Sequence, residues 1–140
     1  MRAFAARNSK VTIGDRLAAL RAEFPACELA VFVDLAACNV LAASASSSTR
    51  QETLEAFCDR AVEALNGAQA RSIQHRIGCQ GAGFPDRVLV MTTPAQWVFL
   101  RSPVARDEAL CLQYLPDGSA EALQDAAENL LRLIAEEVGP

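Results

Sequence analysis

The pattern of hydrophobic and polar positions divides the chain into predicted elements in the order α-β-β-α-β-β-β-α. Apolar residues at helical spacing predict a first helix that begins at Thr12, where Thr12 and Asp15 form a capping pattern, and ends before Pro25. Two β-prone runs within 29–43 then predict a hairpin. Asn39 tolerates a left-handed backbone, which suits it to the turn.

The second predicted helix, from Glu52 to Leu65, has the clearest pattern in the sequence. Thr49 and Glu52 match a capping box, and Asn66-Gly67 is a typical helix stop. Acidic and basic residues occupy one side of this helix. Its apolar stripe consists of Leu54, Phe57, Cys58, Ala61, Val62 and Leu65.

Three further strands, at 87–93, 96–100 and 109–115, precede a final helix that begins after Ser119. The first two of these strands are apolar at both odd and even positions. This pattern predicts that both sheet faces are covered, either by helices of this chain or by a second subunit. The glycine-bearing segment 68–86 has no clear pattern and is interpreted as a functional loop or an unrecognised strand.

The length of 140 residues and the 51% hydrophobic content predict one folded domain, residues 12–138, after a flexible lead-in at 1–11. The net charge is −4 and the chain contains a single lysine, Lys10. Binding of nucleic acid or an anionic membrane needs clustered basic residues, so neither partner is predicted.

Five cysteines without any C-x-x-C pair indicate free thiols in a reducing compartment rather than a disulfide scaffold. The first residues do not form the continuous apolar region of a signal peptide, and no stretch has the length of a membrane span. The sequence therefore predicts a cytoplasmic protein.

The sequence contains few groups suited to catalysis. His75 is the only histidine, and neither it nor the cysteines have the spacing of a nucleophilic triad or a zinc site. The glycines between Gly78 and Gly83 lead into Phe84-Pro85 rather than into a helix with a Lys-Ser/Thr pair, unlike a phosphate-binding loop. We predict no enzyme activity, no cofactor and no metal.

The acidic residues of the second helix leave two interpretations open. Glu52, Glu55, Asp59 and Glu63 lie on its polar side, with Arg60 among them. They form either a solvated face or a recognition surface for a basic partner.

Three segments resemble the roadblock / dynein-light-chain domain family, including its bacterial and archaeal members. They are the run 29–44, "LAVFVDLAACNVLAAS", the helix from Glu52 to Leu65, and residues 87–115 with the helix that follows. Two features differ from the family pattern: a glycine usual in the first hairpin is absent, and segment 68–86 is longer.

The resemblance implies a roadblock/profilin-like α/β sandwich, with a five-stranded antiparallel sheet between helices. It also implies a homodimer in which the middle strand and second helix of two copies pair. Members of this family bind Ras-like small GTPases or motor components as non-catalytic regulators. The dimer interface so implied contains Leu54, Phe57, Cys58, Ala61, Val88 and Val90.

Two other functions fit parts of the pattern. A secretion-type chaperone is also small and acidic, although the hairpin before the long helix does not fit its usual element order. A small-molecule sensor would need a pocket under the sheet, for which Trp97, Phe99 and Tyr114 are candidates, whereas aromatic residues on strands usually belong to the core.

Overall fold

A five-stranded antiparallel sheet lies at the centre of the molecule, with helices on both of its faces. The computed structural model describes residues 11–46, 51–67 and 86–138. The predicted order of helices and strands is confirmed. The elements are α1 (Ile13–Glu23), β1 (Cys27–Asp34), β2 (Asn39–Ala45), α2 (Gln51–Asn66), β3 (Arg87–Met91), β4 (Gln96–Arg101), β5 (Glu108–Tyr114) and α3 (Ala120–Val138).

The strands lie in the order β2-β1-β5-β4-β3, and each pair of neighbours is antiparallel. The hairpins β1–β2, β3–β4 and β4–β5 join neighbours in sequence. The pairing of β1 with β5 joins the two halves of the sheet. The edges of this sheet are therefore β2 and β3.

Alternation along the strands produces two cores, one on each face of the sheet. On the first face, Phe32, Leu100 and Leu112 pack against α1 and α3. On the second, Val31, Phe99 and Cys111 pack against α2. β1, β4 and β5 are buried on both faces, which explains their apolar residues at consecutive positions.

The first helix begins and ends where the sequence predicts. Thr12 and Asp15 form a capping box, with the Asp15 N–H donating to Thr12 Oγ1 at 3.0 Å and the Thr12 N–H donating to the Asp15 carboxylate. The helix ends at Glu23, two residues before Pro25, since proline disfavours helical geometry in the residue before it.

The turn between β1 and β2 differs from the prediction in the residue that has a left-handed backbone. Cys38 has this conformation, with φ of 55°, whereas Asn39 is the first residue of β2. The turn is further fixed by Asp34, whose Oδ1 accepts hydrogen bonds from the N–H groups of Ala36 and Ala37. The prediction for Asn39 was therefore wrong by one position.

A buried arginine joins β4 to the C-terminal end of α2. Arg101 is only 7% exposed. Its Nη2 donates to the carbonyl of Leu65 at 2.8 Å and to Oδ1 of Asn66 at 2.7 Å, and its Nη1 donates to the carbonyl of Arg106 at 3.0 Å. The positive charge lies at the negative end of the helix dipole, which anchors α2 to the sheet.

Several sequence predictions concern residues outside the described ranges. These include almost all of the lead-in 1–11, the cap residue Thr49, His75 and all of segment 68–86 except Asp86. The domain limits 12–138 stay a prediction. Within the described ranges, no helix combines the length and apolar character needed to cross a bilayer.

Candidate interaction surface

The outer edge of β3 has no neighbouring strand among the described residues. In the pairing of β3 with β4, Val88 lies opposite Phe99. The pairing continues to Asp86, whose carbonyl accepts the Arg101 N–H at 2.8 Å. In an antiparallel ladder, hydrogen-bonded pairs recur at every second residue. Val88 therefore directs its backbone groups toward β4, and Leu89 directs its own toward the open edge.

On one face of the sheet, part of β3 extends beyond the helix that covers the rest of that sheet face. Leu89 is 46% exposed and Met91 is 63% exposed. Arg87, on the same face, contacts α3, where Nη1 lies 3.4 Å from both Glu128 Oε2 and Gln124 Oε1. The helices of the described chain thus leave two large apolar side chains of β3 in contact with solvent.

The other face of β3 packs against α2 through half-buried side chains. Val88 and Val90 contact the core beneath α2. Next to them lies an aromatic cluster in which the rings of Phe57 and Trp97 are 4.9 Å apart. The guanidinium carbon of Arg60 lies 4.1 Å from the Trp97 ring centroid, a cation–π contact that covers the half-buried indole.

The six residues of the predicted interface all lie on the α2 side of the sheet. Phe57, Cys58 and Ala61 are buried in the core of their own chain. Leu54, Val88 and Val90 are half-buried and pack against that core. The exposed pair Leu89 and Met91 was not among the predicted interface residues, although the sequence of their strand is apolar at both odd and even positions.

The polar side of α2 presents carboxylates to solvent. Glu55, Asp59 and Glu63 are exposed. Asp59 also accepts a hydrogen bond from the Cys38 thiol, with Sγ and Oδ1 3.1 Å apart. This acidic side lies next to the Arg60–Trp97 contact, so α2 presents both charge and aromatic surface.

The three aromatic residues considered for a pocket do not face one another. Trp97 and Phe99 lie on the α2 face of the sheet, whereas Tyr114 is buried on the opposite face and its hydroxyl accepts from Gln124 Nε2 at 3.4 Å. An open groove lies instead between α1 and α3. Its lining includes Leu20 and Leu133 and none of the three aromatic residues.

The described part of the chain has no group of three or more His, Cys, Asp or Glu side chains able to hold a metal ion. Within the same ranges, each buried side-chain nitrogen or oxygen has a hydrogen-bond partner. The features that distinguish the surface are thus an open strand edge, two exposed apolar side chains and the outer side of α2.

No protein-family model and no curated protein matches the chain. Solved structures do match it over most of its length. A roadblock/LC7 domain from Streptomyces avermitilis has a TM-score of 0.73 and 14% identity, covering 89% of this chain and 95% of its own.

Two bacterial MglB proteins are also similar. MglB of Myxococcus xanthus has a TM-score of 0.67 and 12% identity over 90% of this chain and 96% of its own. The gliding protein MglB from Thermus thermophilus has a TM-score of 0.65 and 16% identity over 91% of this chain and 93% of its own. The observed order of elements, together with these structural similarities, confirms the resemblance found in the sequence: the chain has the roadblock/LC7 fold.

Proposed function

We propose that the chain is a non-catalytic regulator that forms a homodimer through β3 and binds a Ras-like small GTPase. The observation that carries the proposal is the open edge of β3 with Leu89 and Met91 exposed beside it. An unpaired strand edge with apolar side chains is a template for pairing with another chain.

A second copy of the chain is the simplest partner for this edge. Two β3 strands related by a two-fold axis run antiparallel, and each supplies the same outward N–H and C=O groups. In such a dimer the two β3 strands meet along a seam. The half-buried Leu54, Val88 and Val90 lie near this seam, on the α2 side of the sheet. Phe57, Cys58 and Ala61 support the seam from beneath, because they are buried in their own chain.

The dimer is tested by solution mass, measured by light scattering, on two variants of one position. Leu89→Pro removes an outward N–H without affecting the bonds to β4, so we expect a folded monomer. Leu89→Ala keeps the N–H and loses only side-chain area, so it should remain at least partly dimeric. A wild-type protein that is monomeric, or a Leu89→Pro variant that remains a dimer, would contradict pairing through β3.

Binding of a small GTPase is supported by the roadblock/LC7 fold together with the sequence resemblance to roadblock-type regulators. The test is titration calorimetry of the wild-type protein against a panel of Ras-like GTPases, each loaded with GDP or with a non-hydrolysable GTP analogue. We expect binding to at least one GTPase, with an affinity that depends on the nucleotide. A protein that is dimeric but binds no member of the panel in either state would argue against this partner and leave the dimer intact.

The two other functions considered have less support from the geometry. The observed order of elements includes a hairpin before α2, which a secretion-type chaperone would lack. A sensor pocket lined by Trp97, Phe99 and Tyr114 is not formed, because the sheet separates Tyr114 from the other two.

A further inference from the structure

Two cysteines from distant parts of the sequence meet where the β1–β2 turn packs against α2. Cys38 lies in the turn, is exposed and has a left-handed backbone. Its Sγ lies 3.1 Å from the Oδ1 of Asp59 on α2. Cys58, the residue before Asp59, is fully buried on the side of α2 that faces the sheet.

The Cys38 and Cys58 thiols are also close enough for each to affect the pKa of the other. One thiol is therefore accessible to a solvent-borne reagent, and the second lies next to it and is shielded from that reagent. Disulfide bonds need closely spaced β-carbons, a condition favoured where the β1–β2 turn packs against α2 beside Cys58.

We propose that Cys38 and Cys58 are a redox modification site, at which a peroxide converts the two thiols into an intramolecular disulfide that joins the β1–β2 turn to α2. The proposal does not rest on the proposed function. Cys38 lies beside the polar side of α2, Cys58 lies on its buried side, and no residue of β3 takes part in the reaction.

The reaction has two steps. The Cys38 thiolate attacks one oxygen of the peroxide, the O–O bond breaks and hydroxide leaves, which gives a sulfenic acid on Cys38. Cys58, having lost its proton, attacks the Cys38 sulfur. The S–O bond breaks, a second hydroxide takes up a proton, and the S–S bond forms. Overall, two thiols are oxidised by two electrons while hydrogen peroxide is reduced to two molecules of water.

Hydrogen bonding, burial and nearby charges raise the pKa of both thiols, so both are protonated at neutral pH. The hydrogen bond to Asp59, with burial and the nearby Glu55 charge, raises the pKa of Cys38 above its ordinary value. Burial raises the pKa of Cys58 to about 12, with contributions from Cys38, Asp59 and Asp34 on β1. Because the thiolate is the reacting form, the site should be slow at neutral pH and faster as pH rises.

The first experiment treats the full chain, in a Cys79→Ser background, with hydrogen peroxide and maps the digested protein by mass spectrometry. Cys79 is replaced because it is outside the described residues and could compete. We expect a peptide linking Cys38 to Cys58 with a loss of two hydrogens, reversed by dithiothreitol, and its absence in Cys38→Ser. The closed loop of about 20 residues should raise the melting temperature by roughly 10 °C.

Cys38→Ser is suited to this test because an exposed turn residue can change without disturbing the core. The buried Cys27→Ala is the matched control, since it removes a thiol from the opposite face and should leave the linked peptide unchanged. Oxidation of Cys38 to a sulfinic acid, or its cross-linking to a second molecule, without a 38–58 peptide would overturn the proposal.

A second experiment tests the part played by Asp59. Asp59→Asn removes the carboxylate that holds the Cys38 proton, so the rate of disulfide formation at about pH 7 should increase roughly threefold or more. Glu63→Gln, which removes another exposed carboxylate of α2, is the control and should leave the rate unchanged. An unchanged rate in Asp59→Asn would overturn the assigned role of Asp59.

Discussion

At the scale of single residues, Arg101 holds the end of α2 in place from the neighbouring strand. Its guanidinium donates to the backbone of Leu65 and to the side chain of Asn66, so it satisfies groups that a helix leaves unpaired at its C-terminus. Burial lowers the pKa of Arg101, whereas the nearby Asp86 and Asp107 charges oppose that shift.

Arg101→Ala should therefore lower the free energy of unfolding by roughly 2–3 kcal/mol, because it removes charged hydrogen bonds and leaves a buried carbonyl unpaired. Urea denaturation measures the change. Arg132→Ala is the control, since Arg132 is exposed on α3 and bonds to Asn129 of the same helix. Equal effects in the two variants would show that the contact with α2 contributes little.

The negative charge of Glu108 destabilises the folded state. Desolvation, and then the charge of Asp34 on the paired strand β1, raise the pKa of Glu108 above its ordinary value. The folded state therefore holds this proton more tightly than the unfolded state. The stability gained from protonation is complete at low pH and is lost as pH rises through the raised pKa.

Glu108→Gln should accordingly raise the melting temperature at about pH 7, and the gain should shrink as pH falls toward the ordinary glutamate pKa of about 4.3. Differential scanning calorimetry at several pH values measures this trend. Glu121→Gln, in the first turn of α3 where an acid is favourable, should give no gain. A gain for Glu108→Gln that does not depend on pH would contradict the assigned cause.

The sequence does not reveal the roles of Arg101 and Cys38. Arg101 follows an apolar strand and gives no signal that it reaches the end of a helix that lies far from it in sequence. Cys38 and Cys58 have no motif spacing, and their contact depends on how the β1–β2 turn packs against α2. Contacts between distant elements of this kind depend on the tertiary structure, which local patterns do not encode.

At the scale of elements, α1 shows how much a local signal can determine. Its capping box of Thr12 and Asp15 forms as predicted, and Leu17 and Leu20 pack into the core. Caps of this type satisfy N–H groups that have no partner within the helix.

Thr12→Ala should lower the free energy of unfolding by about 1 kcal/mol because the Asp15 N–H loses its acceptor. Chemical denaturation followed by circular dichroism measures the loss. Thr53→Ala makes the same chemical change at an exposed position within α2 and should cause no loss, because alanine has the higher helix propensity. A cost for Thr53→Ala as large as that for Thr12→Ala would contradict a capping effect.

The strand β3 shows where local patterns are insufficient. Residues 87–91 are apolar at most positions, which predicts cover on both faces, yet the described helices leave Leu89 and Met91 exposed. The same pattern in β4 belongs to a strand with neighbours on both sides and burial on both faces. Hydrophobicity alone does not distinguish the two strands, and the sheet order is needed to show that β3 is an edge strand whose Leu89 and Met91 the described helices leave exposed.

At the scale of the whole molecule, the proposed dimer gives a prediction about surface charge. Met91→Glu places a charge beside the β3 edge, where pairing would bury it, so the mass in solution should fall from twice the chain mass toward 15.0 kDa. Val104→Glu is the control, since Val104 is 66% exposed in the β4–β5 connection, away from that edge.

Light scattering at several concentrations should show a dissociation constant for Met91→Glu at least tenfold above that of the wild-type protein, equivalent to about 1.4 kcal/mol. Val104→Glu should match the wild-type protein. Dissociation of both variants to the same extent would point to general repulsion in an already acidic protein.

The two edges of the sheet differ in their suitability for pairing with a further strand. β2 carries a bulge opposite Phe32 and Val33 of β1, and Arg21 of α1 reaches across to bond the Ser44 hydroxyl at 3.1 Å. A bulged edge is a poor template for a further strand. In the proposed dimer each end of the joined sheet is a β2 strand, so the bulge disfavours growth beyond two chains by edge addition.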